Sequence, residues 1–167
     1  SVLPVFSKIL EKLMYNRLLH YLQGNDLLSS NQFGFREKHS TYTALARLLD
    51  GITSELEQKR HCIGIFIDLS KAFDTLDHSI LLSKLNLYGV RGLANAWFTS
   101  YLKNRKQFVQ VGNEHSETLQ INCGVPQGSI LGPLLFILYI NDIVHMSKLA
   151  ELIMFADDTN LFLVEMT

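Results

Sequence analysis

The chain has 167 residues, 47% of them hydrophobic and 19% charged, enough to close one good core or two closely packed lobes and to bury ~70% of its unfolded surface. That composition excludes a disordered or low-complexity chain. A formal net charge of −1, from 15 Lys plus Arg against 16 Asp plus Glu, excludes a basic field strong enough to gather nucleic acid by itself. The longest apolar run, 130–140, is interrupted by Gly132 and Pro133 and falls short of the ~20 residues of a bilayer span, so no membrane segment is expected. No basic-then-apolar leader opens the chain, and the missing initiator Met is what a fragment would show.

In chain order, Leu10, Met14, Leu18 and Leu22, with Ile9 and Leu13 alongside, predict an amphipathic helix over 8–22 that Gly24-Asn25-Asp26 ends. A polar-aromatic connection, Gln32-Phe33-Gly34-Phe35-Arg36, leads to a second helix over 41–59, with Ser40 or Thr41 as cap and Leu45, Leu48, Leu49, Ile52 and Leu56 on one face. The run CIGIFI, 62–67, reads as a buried strand ending at Asp68. Asp77 caps a helix over 78–87 that Gly89 stops, and a further helix repeats its apolar and aromatic residues at i, i+4 from Leu93 to Leu102. Strands over 106–111 and 118–123 follow, joined by Gly112-Asn113-Glu114-His115. After the Gly/Pro-punctuated loop 124–128 comes a buried helix over 131–145, with Pro133 in its first turn. Strands over 152–156 and 161–164 then flank Asp157-Asp158-Thr159-Asn160 as a hairpin with two carboxylates at its tip. This order is not a strict β-α alternation, so the expected class is α+β with an antiparallel sheet, the N-terminal helices forming a separate lobe. Cys62 and Cys123 carry no Cys-x-x-Cys or Cys/His spacing and read as two buried thiols within strands.

Asp157 and Asp158 sit between the apolar runs LIMFA and LFLV. Two carboxylates ~4 Å apart repel by about 4 kcal/mol at an effective dielectric of 20, which a solvated turn avoids and a half-buried site must offset with a cation. Taken alone, the pair is equally a surface turn or a metal site. Asp68 alone is a helix cap or a site residue. Together the three make an oxygen-rich set suited to a hard cation such as Mg²⁺, of the kind that can hold two ions for phosphoryl or nucleotidyl transfer. The loop Gly124-Val125-Pro126-Gln127-Gly128-Ser129 is either a plain strand-to-helix turn or a surface on which Gln127 offers both donor and acceptor. Lys103, Arg105 and Lys106, interleaved with Tyr101 and Phe108, are either a solvated hairpin edge or contacts to a phosphate backbone. No Ser/His/Asp or Cys/His arrangement is readable, and all six histidines are given structural roles.

The segments FIDLSKAFD (66–74), GVPQGS (124–129) and FADD (155–158) resemble motifs A, B and C of reverse transcriptases, in the right order and spacing. The fuller forms FIDLSKAFDTLDH, QFGFREKHST and GVPQGSILGPLLF are similar to non-LTR retrotransposons of the LINE type, particularly jockey-like elements. The resemblance implies a right-hand polymerase palm over 61–167, an antiparallel sheet on helices, joined to a partial α-helical fingers region over 1–60, with thumb and flanking domains absent. It implies an RNA-directed DNA polymerase that adds dNTPs to a primer 3′-hydroxyl with two Mg²⁺ or Mn²⁺ ions. Asp68 and Asp157 would be direct ligands, and Asp158 a ligand or a tuning charge. Phe73 would be the steric gate against a ribose 2′-hydroxyl, where an RNA-directed RNA polymerase would carry a polar residue. Gln127 and Gly128 would lie beside the nascent base pair, and Arg36 against template or nucleotide pocket. The implied partners are an RNA template, a DNA primer and dNTPs, within an intracellular retroelement ribonucleoprotein of nucleus or cytoplasm. The contrasting expectation is a retroelement remnant that binds nucleic acid or protein without polymerising.

Overall fold

A computed structural model describes residues 4–146 and 150–164. The elements are α1 (Val5–Gly24), α2 (Thr41–Glu57), β1 (Cys62–Ile67), α3 (His78–Leu87), α4 (Gly92–Leu102), β2 (Arg105–Gln107), β3 (Gln110–Val111), β4 (Glu114–His115), β5 (Leu119–Ile121), α5 (Gly132–Ile140), a 3-10 turn (Asn141–His145), β6 (Ala150–Phe155) and β7 (Asp158–Val164). Every ladder is antiparallel, as the α+β reading expects. The main sheet has the order β1-β7-β6, with the last strand central.

Local chemistry sets several boundaries. Ser40 opens α2 with a capping box shared with Thr43. The Asp77 carboxylate accepts from the Ser79 and Ile80 amides at 2.7 and 3.0 Å, which starts α3 and, with the Ser79 hydroxyl as the largest cause, holds its own pKa down. The helix stops at Gly89, whose φ of +91° a side chain would resist.

The helix α5 is apolar all round because it is buried all round, seven of its nine residues lying in the interior. It packs with Leu81 and Leu85 of α3, Phe98 and Leu102 of α4, and Leu18 and Leu22 of α1 into one cluster, each buried Leu, Ile or Phe contributing ~1.5–3 kcal/mol. The sheet joins this layer through Met154. On its other face, Ile153 and Phe162 meet Ala44 of α2 in a second, smaller cluster. Thus α1 shares the core of α3–α5, whereas α2 covers the opposite face of the sheet.

Several expectations are corrected. The strand β1 is not buried: every residue after Cys62 is exposed, because among the described residues the buried clusters draw on Met154 and Ile153 of β6 and Phe162 of β7 and reach β1 at Cys62. In α1 the face turned inward is Glu11, Leu18 and Leu22, while Ile9, Leu10 and Leu13 are exposed. The strands predicted over 106–111 and 118–123 are split into two short ladders, β2-β5 and β3-β4, since Ser116 intrudes with both its amide and its hydroxyl on Val109. The helix predicted to His145 tightens into the 3-10 turn after Ile140. Cys62 is half-buried and Cys123 exposed; Cys123 lies outside any strand, in an isolated bridge with Asp77.

Candidate active site

Strand register brings two of the three aspartates together. The last pair of the β1-β7 ladder is Ile67 with Thr159, so the next residues, Asp68 and Asp158, face each other one step beyond it. Period-2 alternation puts both on the face that carries Phe66 and Asn160. There they line one cleft with Thr41, Leu45 and Phe155, beneath α2. Asp157 does not line that cleft. It is the second residue of a two-residue turn, Ala156-Asp157, between Phe155 and its ladder partner Asp158, so the predicted loop 157–160 is shorter than expected and Asp158, Thr159 and Asn160 are already β7. Ala156 opens the turn at φ +57°, the position where a II′ hairpin prefers Gly, at a cost of ~1–2 kcal/mol for a residue with a Cβ.

These carboxylates suit a hard divalent cation in their chemistry. None takes part in an ion pair among the described residues, where the pairs are Arg47–Glu151, Arg60–Glu55 and Lys84–Asp142. Nor do they form a closed cage: among the described residues no three His, Cys, Asp or Glu side chains are grouped closely enough to enclose an ion. The arrangement is an open pair of facing carboxylates with a third on the adjoining turn, onto which substrate oxygens and water could complete an octahedral shell.

Beside this site, the turn after Asp68 and the loop 124–129 are tied together. The Val125 amide donates to the Phe73 carbonyl at 2.9 Å and the Gly124 amide to that of Leu76 at 2.7 Å. Gln127 Nε2 lies 3.2 Å from both carboxylate oxygens of Asp74. A Cβ on Gly124 would stand 2.7 Å from the Asp74 carbonyl oxygen, so only glycine permits this approach. His78, buried at the start of α3, adds a 2.7 Å bond from Nε2 to the Gly124 carbonyl, a structural role as expected. The half-buried Phe73 ring stacks on Phe136 with centroids 4.4 Å apart and meets Phe35 edge-on at 6.0 Å. Phe73 and Gln127 are thus tied to one loop-turn junction that follows Asp68 in the chain.

The basic residues lie elsewhere. Arg36 Nη1 donates to the carbonyls of Ser29 and Gln32 and lines a separate cleft with Asn141 and His145. Burial lowers its pKa and the Asp26 carboxylate partly restores it. Arg105 sits over the Tyr101 ring at 5.3 Å, Tyr101 stacking in turn on Trp97. Lys103 and Lys106 are exposed along the same α4-β2 junction.

Three buried polar side chains escaped the sequence reading. Glu11, 1% exposed, accepts from the Tyr101 hydroxyl at 2.8 Å and the Ile130 amide at 2.7 Å. It thereby fastens α1 to the loop before α5, and burial together with this bond raises the Tyr101 pKa. A signal was present, since Glu11 falls on the helical face of Leu18 and Leu22. Asn141 accepts from the Ser29 amide and donates to the Leu27 carbonyl and the Tyr88 hydroxyl. Gln32 bonds to the backbone of Ala156, and nothing in its local sequence announces that partner.

A family model described as "Reverse transcriptase (RNA-dependent DNA polymerase)" matches residues 1–167. The chain is 37% identical over 171 residues to the "Probable RNA-directed DNA polymerase from transposon BS" of Drosophila melanogaster. It is 34% identical over 172 residues to the RNA-directed DNA polymerase from mobile element jockey of the same species. Each alignment covers 95% of this chain but 18% of the relative, so the chain spans under a fifth of those proteins. Among solved structures, apo telomerase from Candida tropicalis, truncated from its C-terminal domain, superposes with a TM-score of 0.61 at 16% identity, over 94% of this chain and 33% of that one.

Proposed function

Because the chain belongs to the reverse transcriptase (RNA-dependent DNA polymerase) family, we propose that it is the catalytic core of the RNA-directed DNA polymerase of a non-LTR retrotransposon. The fold is that of a right-hand polymerase, as its likeness to the telomerase structure indicates. The observation that carries the reading is Asp68 opposite Asp158 at the end of the β1-β7 ladder, with Asp157 on the adjoining turn and no cationic side chain paired to any of them among the described residues.

Asp68, Asp157 and Asp158 would hold two Mg²⁺ ions, or Mn²⁺ in their place. Such ions would contribute activation of the primer 3′-hydroxyl and charge stabilisation during transfer from a dNTP. The chain's own part is positioning. The β1-β7 ladder sets the spacing of Asp68 and Asp158. The Phe136 stack holds the Phe73 ring, which would serve as the gate that excludes a 2′-hydroxyl. The bond between Gln127 and Asp74 holds the loop on which Gln127 and Gly128 would meet the nascent base pair. Lys103, Arg105 and Lys106 would contact the backbone of RNA template or DNA primer, and Arg36, spent on two carbonyls, would support the template side through its loop. No helix among the described residues is long and apolar enough to cross a membrane, and the proposed setting is an intracellular retroelement ribonucleoprotein.

The test is extension of a DNA primer on an RNA template by the full-length protein with Mg²⁺. Extension by the wild type and none by Asp157→Asn is the expected result. Equal extension by both would overturn the reading.

A further inference from the structure

We propose that Gln32 is a positioning residue for the carboxylate hairpin, holding Ala156 in the left-handed conformation that presents Asp157 and Asp158. The inference rests on the polymerase reading for its consequence and on geometry alone for its mechanism.

A two-residue turn leaves the peptide groups of its first residue without ladder partners. Gln32 supplies both for Ala156: its Oε1 accepts from the Ala156 amide at 3.0 Å and its Nε2 donates to the Ala156 carbonyl at 3.2 Å. The same oxygen accepts from the Gly34 amide at 2.7 Å. The side chain is only 2% exposed, so water does not compete for these bonds. A neutral carboxamide is the group this place requires. It carries donor and acceptor on one rigid plane, whereas a carboxylate would lose the donor and set a third negative charge behind two others.

The backbone around Gln32 is anchored independently of its side chain. The Phe33 amide donates to the Met154 carbonyl and the Met154 amide to that of Asn31, each at 2.8 Å, so residues 31–33 run along the free edge of β6. Gly34 completes the approach: a Cβ there would stand 2.2 Å from the Ala156 nitrogen. Replacing Gln32 by Met keeps the length and the backbone anchors and removes the grip on Ala156 together with the bond from the Gly34 amide. The outcome is a hairpin that persists while its turn samples other conformations.

The test compares wild type, Q32M and Q32M/A156G in the full-length protein. Primer extension by Q32M is expected to fall ~10–100-fold, with a higher half-saturating Mg²⁺ concentration, as for loss of a group that orients metal ligands. Its dNTP KM should stay near the wild-type value. Adding Ala156→Gly should recover most of the loss, because glycine reaches positive φ unaided. Amide exchange at Ala156 without metal should quicken about tenfold in Q32M. Wild-type rate and Mg²⁺ dependence in Q32M, or a loss that Ala156→Gly leaves unchanged, would overturn the proposal. Should Q32M melt early, amide exchange at Ala156 and Mg²⁺ dependence measured below its melting temperature carry the same comparison. If the wild type itself extends no primer, the polymerase reading fails, and the exchange rate at Ala156 alone decides: faster supports the grip, unchanged overturns it.

Discussion

The strand β1 and the β6-β7 hairpin carry the two halves of one carboxylate site, and they are held by different means. In β6, Leu152, Ile153 and Met154 are buried between α2 and the α5 layer, and the outer edge is bound by residues 31–33. In β1, Ile63 is 61% and Phe66 70% exposed, and the ladder to β7 is its main attachment. Asp157 and Asp158 are therefore placed by packing, and Asp68 by register and by the turn that follows it, where Phe73 and Asp74 are tied to the loop 124–129. Stability and site geometry are coupled in the hairpin and largely separate in the strand.

The largest effect should ignore this difference. Asp68→Asn and Asp157→Asn are each expected to lower primer extension by at least about 10³-fold, because either loss would weaken the proposed metal site, with melting temperatures unchanged. A much smaller loss for Asp68→Asn would confine the chemistry to the hairpin and break the comparison. Stability should then separate the two regions. Met154→Ala is expected to cost ~2–5 kcal/mol as a buried large-to-small change, and Ile65→Ala, on the open strand, less than about 1 kcal/mol; urea denaturation measures both, and equal costs would contradict the account. Next, Phe73→Ala should raise ribonucleotide over deoxyribonucleotide incorporation by roughly 10- to 100-fold, the range over which a pocket resolves one hydroxyl. An unchanged ratio would leave Phe73 only as the packing partner of Phe136. The smallest effect belongs to Ser40→Ala, which removes the cap of α2 over the cleft and should cost ~1 kcal/mol in thermal unfolding, with no change in the order of the other variants.

What could be read from the sequence followed from local rules. Asp77 and Gly89 bound α3 because a carboxylate caps free amides and a left-handed residue ends a helix, and both signals lie within the segment. The run CIGIFI gave β1 its limits but not its surroundings, since an apolar run says what favours burial and not which neighbour covers it. The helix face of α1 is hidden for a related reason: Leu10 and Leu13 are as apolar as Leu18, and the packing of Leu18 and Leu22 in the core and of Glu11 on Tyr101 and Ile130 decides the rotation. The three aspartates were found because their spacing is a motif. Gln32 was not, because its partner is 124 residues away and a buried amide has no local signature.

Mn²⁺ titration of the full-length protein followed by electron paramagnetic resonance tests most directly whether Asp68, Asp157 and Asp158 bind divalent metal as one site. With primer-template and a non-hydrolysable dNTP analogue present, two bound ions are expected in the wild type and weakened binding in both Asp68→Asn and Asp157→Asn. Unchanged stoichiometry and affinity in either variant would contradict the one-site reading.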